Sequence, residues 1–160
     1  MKSGLDIVGV WSMLAWRQQR GREQLLPMGE SPVGFIVYTA EGFVSVNIMR
    51  SARPLMLTGD FVNASDEEKA LAFSGYLGYC GRYEVMEDRV CHHIEAASYP
   101  NWVGERQIRR LSWDGEILRL QAQPRTVNGV LVSATIDWKR LDSEARHHAS
   151  LPSTTGLRMP

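Results

Sequence analysis

The stretch "SPVGFIVYTAEGFVSVNIMR", Ser31 to Arg50, decides the fold. Two runs rich in Val, Ile and Phe, Val33 to Thr39 and Phe43 to Met49, flank "AEG", a tight turn ending in glycine, and together they read as a β-hairpin. Working outward, the same texture recurs at Val10 to Arg17, Gly81 to Met86, Val90 to Ala97, Glu105 to Trp113, Glu116 to Gln121 and Val130 to Lys139. The segments between them, "EDR", "PNWVG", "WDGE" and "TVNG", are turn signals, and Asp114-Gly115 and Asn128-Gly129 are two-residue hairpin formers because both pairs tolerate positive φ. About eight short antiparallel strands either close into a barrel or split into a sandwich. Closure removes both edges, and an eight-stranded barrel has room for one small ligand.

One segment departs from this pattern. In "SDEEKALAFSGYLGYC", Ser65 to Cys80, Ser65 and Glu68 form a capping-box signature, the acidic first turn complements the helix dipole, and Leu71, Ser74 and Leu77 fall at helical spacing. A single helix is expected there, weakened by Gly75 and Gly78. Ahead of it, "RPLMLTGDFVNA" reads as an irregular connection. From Asp142 onward the chain has little to bury, so residues 1–141 are expected to form the barrel domain and residues 142–160 a flexible tail that includes His147 and His148.

Composition narrows the function. Eighteen basic side chains balance eighteen acidic ones in 160 residues, with no long block of either sign, which argues against nucleic acid or an anionic membrane as partner. No stretch approaches a membrane span and the N-terminus carries no export signal, so a cytoplasmic location with reduced Cys80 and Cys91 is expected. There is no G-x-S-x-G elbow, phosphate loop, G-x-G-x-x-G or H-E-x-x-H, so neither a cofactor nor a metal is expected.

"GVW" at Gly9 to Trp11 resembles the G-x-W signature of lipocalins, in which the tryptophan plugs the barrel base and a basic residue near the end of the last strand packs over it. Arg140 in "DWKR" is the counterpart that the resemblance implies, with Lys139 as second choice. More specifically, the chain from Leu5 to about Leu141 resembles the lipocalin-like domain family of bacterial and fungal proteins, through "SPVGFIVYTAEGFVSVNIMR", "EEKALAFSGYLGYCGRYEV", "VCHHIEAASYPNWVGERQIRRL" and Trp138. The resemblance implies a mainly β, antiparallel, eight-stranded lipocalin-like barrel with one inserted helix and a ligand-sized cavity. It does not fix an activity, although some members are similar to proteins found among natural-product biosynthesis enzymes.

Strand alternation sorts the candidate residues. In "VCHHIE", Val90, His92 and Ile94 share one face and Cys91, His93 and Glu95 the other, so the two histidines point apart and form no local metal pair. His92 lies on the more apolar face, where it is either an acid/base group or a buried histidine bonded to a tyrosine or a carbonyl. Gln107 and Arg109 share a face, and the resemblance around "ERQIRRL" favours that face as the interior; otherwise both arginine-bearing faces end in solvent at the barrel rims. Of the tyrosines, Tyr38 and Tyr83 are placed mid-strand and so preferred as polar walls of the cavity. Ser45 and Asn47 share a face with Phe43 and Met49 that can line the cavity, unless the core is the opposite face of Val44, Val46 and Ile48. Trp102 is a gate or a cap, and Phe73 and Tyr76 on the helix can close one mouth.

Function is therefore expected to involve a small hydrophobic, oxygenated molecule, bound by a monomer or homodimer. The leading expectation is a cofactor-independent isomerase or cyclase, with His92, Tyr38, Tyr83 and Arg109 catalytic and Gln107, Asn47, Ser45, Trp102, Tyr76 and Phe73 binding substrate. The alternative is a carrier without catalysis, and a packed barrel used for interaction would have no cavity at all.

Overall fold

In the computed structural model, which describes residues 6–141, the hairpin that opened the reading is formed by β3 (Val33–Tyr38) and β4 (Phe43–Met49). Its turn is closed by the Gly42 amide, which donates to the Thr39 carbonyl at 3.1 Å, and Gly42 takes the positive φ of 83° that favours glycine. The other strands are β1 (Gly9–Arg20), β2 (Glu23–Leu25), β5 (Tyr76–Met86), β6 (Arg89–Ala97), β7 (Arg106–Trp113), β8 (Ile117–Ala122), β9 (Arg125–Val127) and β10 (Val130–Arg140). The antiparallel order β1-β3-β4-β5-β6-β7-β8-β10 closes through β10 pairing back on β1 from Trp11↔Arg140 to Arg20↔Val132. The result is a closed eight-stranded barrel, and the short β2 and β9, which the sequence does not announce, extend its sheet beside β1 and β10. Asn128 and Gly129 both adopt positive φ at the last hairpin turn, as that dipeptide requires.

Two irregularities interrupt the strand registers. In β1 the register against β10 shifts between Met13 and Ala15, so Trp11 and Met13 before the bulge and Trp16 after it all face inward. In β5 the register against β6 shifts between Cys80 and Gly81. A Cβ at Gly81 would lie 1.9 Å from the His93 carbonyl oxygen, so only glycine permits this approach.

The expected helix is shorter than the sequence suggests. α1 (Asp66–Ser74) starts on the capping box, with Glu68 N–H donating to Ser65 Oγ at 3.2 Å and the Ser65 N–H donating to the Glu68 carboxylate at 3.1 Å. It ends at Gly75, whose N–H caps the Leu71 carbonyl, and Tyr76 to Cys80 belong instead to β5. α1 buries no residue, so packing does not support the two additional turns; pairing with β4 from Met49↔Tyr76 to Phe43↔Arg82 takes the chain instead. The connection over residues 50–64 contains no helix or strand. No helix among the described residues is long and apolar enough to cross a membrane. The expected tail, residues 142–160 with His147 and His148, lies outside the described residues.

One end of the barrel is closed. Trp11 is fully buried, its indole N–H donates to the Ile7 carbonyl at 2.9 Å, and Trp113 meets it edge-on at 5.4 Å. The Arg140 guanidinium lies over the Trp11 ring at 4.2 Å from the centroid and donates to the Val8 and Asp6 carbonyls at 2.7 and 2.6 Å. Gly9, at φ 135°, leaves the space this guanidinium occupies: a Cβ there would meet Arg140 Nη1 at 3.0 Å. Glycine, tryptophan and arginine thus form one steric and cation–π unit.

Candidate functional site

Above the plug the barrel holds a cavity of about 880 Å³, walled by Ile36, Val46, Ile48, Leu120, Ile136 and Trp138. The wall is apolar because Ile36, Val46, Ile48 and Leu120 are the inward members of alternating strands; Val44, Val46 and Ile48 are all buried. This places Ser45 and Asn47 on the outer face, away from the cavity, and corrects the expectation that they bind substrate. β-branched residues fill the inside of β4, and Asn47 instead accepts a hydrogen bond from Tyr76 Oη. The mouth is lined by Phe73 and Tyr76, by Pro27 and Met28 from the loop after β2, and by Tyr99 and Trp102.

Polar groups gather on one wall. Gln107 stands opposite His92 in the β6–β7 register and Arg109 opposite Val90, so both point into the barrel. Arg109 Nη2 donates to Gln107 Oε1 at 2.6 Å and Nη1 to the Ile108 carbonyl at 3.3 Å. No carboxylate among the described residues forms an ion pair with Arg109. Beside it, His92 is bracketed by two tyrosines: Tyr38 Oη lies 2.8 Å from Nε2 and Tyr79 Oη 2.9 Å from Nδ1. Burial, reinforced by the Arg109 and His93 charges, pulls the His92 pKa down to about 3, so the ring is neutral at physiological pH. Burial raises Tyr79 to about 12 against the opposing pull of Arg109, and raises Tyr38 well above the usual phenol range. Trp102, in the 3₁₀ turn Pro100–Trp102, meets the Tyr79 ring edge-on at 5.8 Å.

The structure therefore brings together Arg109, Gln107, Trp102, Tyr76 and Phe73 around the cavity. It places His92 and Tyr38 one layer deeper, where neither lines the cavity; Tyr79 stands between His92 and the open space. Tyr83 is also set apart, its ring edge-on to Tyr38 at 4.8 Å and its hydroxyl donated to the Thr39 carbonyl at 2.7 Å. A hydroxyl held by backbone is not positioned to move a substrate proton, which corrects the role expected for Tyr83. The sequence ranks Tyr79 below Tyr38 and Tyr83 as a polar wall, because the helix expected through Cys80 takes it out of a strand. The signal was the alternation Leu77, Tyr79, Gly81, Tyr83, continuous in period two with the strand that follows. Trp16 and Trp138 also line the cavity, and their buried indole N–H groups have no partner among the described residues.

Chemically, the site combines apolar walls with the donor cluster of Arg109 and Tyr79 and with further polar side chains such as Gln18, Glu105 and Gln123, an arrangement suited to holding an oxygen atom on a largely hydrophobic molecule. On the outer face, Glu84, Cys91 and His93 approach one another closely enough to be compared with a metal site, but His93 Nε2 and the Arg106 guanidinium already engage the Glu84 carboxylate at 2.8 and 3.4 Å.

Comparison with known proteins agrees with this architecture. A family model described as a lipocalin-like domain matches residues 8–141. The 4'-hydroxy-3'-methoxypropiophenone carrier protein of Aspergillus oryzae is 34% identical over 107 residues, covering 61% of this chain and 96% of that relative. No solved structure matches the chain.

Proposed function

This chain belongs to the lipocalin-like domain family, and from that premise we propose that it binds a small, largely apolar, oxygenated molecule inside the barrel. The observation that carries this reading is the cavity of about 880 Å³, in which apolar walls face a polar cluster that includes Arg109, Gln107 and Tyr79. A packed barrel used only as an interaction module would have no such space. The relative's name describes a carrier of an aryl ketone bearing a phenol and a methoxy group, and a ligand of that size and polarity suits this chamber: aromatic body against Ile48, Leu120 and Trp138, oxygen toward Arg109. The test is native mass spectrometry of protein purified from its own source, with extraction of whatever is bound. A retained aromatic or polyene oxygenate supports the reading. Failure of the purified protein to bind any of a panel of aryl ketones and phenols at millimolar concentration would sink it.

A second reading, a cofactor-independent isomerase or cyclase, is favoured by one observation: the Tyr38–His92–Tyr79 hydrogen-bond chain ends at the cavity beside a cation. Such a wall can polarise a carbonyl and stabilise an enolate as it forms. Arg109→Ala and His92→Ala should then abolish turnover of the captured ligand; full turnover by both variants would leave only the carrier reading.

A further inference from the structure

We infer that the Tyr38–His92–Tyr79 chain is polarised in one direction, so that Tyr79 offers a hydroxyl hydrogen to the cavity and, with Arg109, selects ligands that present an unprotonated acceptor oxygen, a ketone carbonyl foremost. This deepens the binding reading above and rests on it. His92 acts here as a positioning residue, because it reaches the ligand only through Tyr79.

The argument is one of counting hydrogens. A neutral imidazole has one donor and one acceptor nitrogen, and both nitrogens of His92 face a tyrosine hydroxyl, at 2.8 and 2.9 Å. Two arrangements satisfy the ring. In one, Tyr38 Oη–H donates to Nε2 and Nδ1–H donates to Tyr79 Oη. In the other, Tyr79 Oη–H donates to Nδ1 and Nε2–H donates to Tyr38 Oη.

Tyr38 decides between them. It is 1% exposed, and among the described residues its hydroxyl has no polar partner other than His92. In the second arrangement its hydrogen would be buried with no acceptor, which costs the desolvation of that group without return. In the first, every buried hydrogen of the chain is placed, and the one left over sits on Tyr79, which lines the cavity and can give it to solvent or ligand. Burial keeps both the ring neutral and Tyr79 un-ionised at neutral pH, so the polarity persists there.

The consequence is specificity. The Tyr79 oxygen already accepts from Nδ1–H, so its hydroxyl hydrogen has no partner within the chain and is offered to an acceptor in the cavity. Arg109 adds a guanidinium with no carboxylate partner among the described residues and no capacity to accept. Two donors converging on one wall reward an acceptor oxygen and leave a ligand methylene at that position with unmatched polar groups behind it.

Two measurements test this separately. Long-range ¹H–¹⁵N correlation spectra of the ligand-free protein should show His92 protonated on Nδ1 with a bare Nε2; the Nε2–H tautomer would overturn the polarity whatever the protein binds. Titration calorimetry with 4'-hydroxy-3'-methoxypropiophenone and its analogue carrying CH₂ in place of the carbonyl should give about tenfold tighter binding of the ketone. Tyr79→Phe should reduce that preference by weakening the ketone, leaving only the share that Arg109 supplies. Equal affinities in the wild-type protein would overturn acceptor selection while leaving the binding reading intact. No binding of either compound at millimolar concentration would overturn the binding reading itself.

Discussion

The two ends of the barrel are built on opposite rules. At the closed end, Trp11 is fully buried, its N–H is satisfied, and Arg140 and Trp113 cover its ring from two sides. At the open end, Phe73 is 53% exposed, and in the neighbouring connection Leu55 and Leu57 are 94% and 99% exposed. The helix that stands there buries nothing. The difference teaches that folding energy and ligand access have been separated along the barrel axis. A well-packed base lets the other end remain open and lightly held, as binding regions generally are.

The sharpest way to break this comparison is at the base. Trp11→Ala removes a buried indole and strands the Arg140 guanidinium over a void, and should lower unfolding free energy by about 4 kcal/mol in denaturant titrations. A loss no larger than that of an open-end variant would refute the division. Next in size is the acid response of the interior. His92 has its folded pKa lowered to about 3, so between that value and the unfolded value of about 6.5 only the unfolded state binds the proton. Stability is therefore complete above about pH 6.5 and should decline as pH falls toward 3, by about 1 kcal/mol per pH unit. His92→Phe should flatten that slope, and an unchanged slope would show that other groups carry the acid response. Arg140→Met, which keeps the stem but loses two bonds to backbone carbonyls and the cation–π contact, should cost about 2 kcal/mol by the same denaturant assay.

How far these features were legible depended on whether they were local. The β3–β4 hairpin, the Asn128-Gly129 turn and the Ser65–Glu68 capping box announce themselves through residue type, since each is a steric or hydrogen-bond requirement satisfied by neighbours, whereas the packing of Arg140 over Trp11 was legible only through the resemblance to lipocalins. The end of the helix was not legible, because Leu77 fits both a helical spacing and a two-residue alternation, and only pairing with β4 decides between them. That one ambiguity put Tyr79 behind Tyr38 and Tyr83, and with it obscured the link between His92 and the cavity. Strand parity puts Arg109 and Gln107 on one face but leaves open which face is inward, and only the resemblance favoured theirs; the close approach of Gly81 to the His93 carbonyl across the sheet is revealed by no local pattern.

Smaller effects belong to the open end and sharpen the contrast. Trp102→Ala removes an edge-on contact to Tyr79 from a residue that is itself partly exposed. It should change stability by less than about 1 kcal/mol yet weaken ketone binding about tenfold; a larger stability loss than ligand effect would make Trp102 a cap rather than a gate.

The smallest expected change in global stability concerns Glu68, which ties the 50–64 connection to α1. Its carboxylate accepts from the Leu57 and Thr58 amides at 2.7 and 3.2 Å and from Thr58 Oγ1 at 2.8 Å. These bonds, the Thr58 hydroxyl foremost, hold its pKa down at about 2. Because the folded value is depressed, the tie is fully present above the ordinary carboxylate range near pH 4.5 and is lost as pH falls through about 2. The Leu57 and Thr58 amide proton resonances should therefore titrate with a midpoint near 2, and Glu68→Gln should shift them at neutral pH without moving the denaturation midpoint. A midpoint near 4.5 would mean that the connection is not held to the helix in solution. A large fall in global stability in Glu68→Gln would mean that the open end bears part of the load assigned here to Trp11 and Arg140.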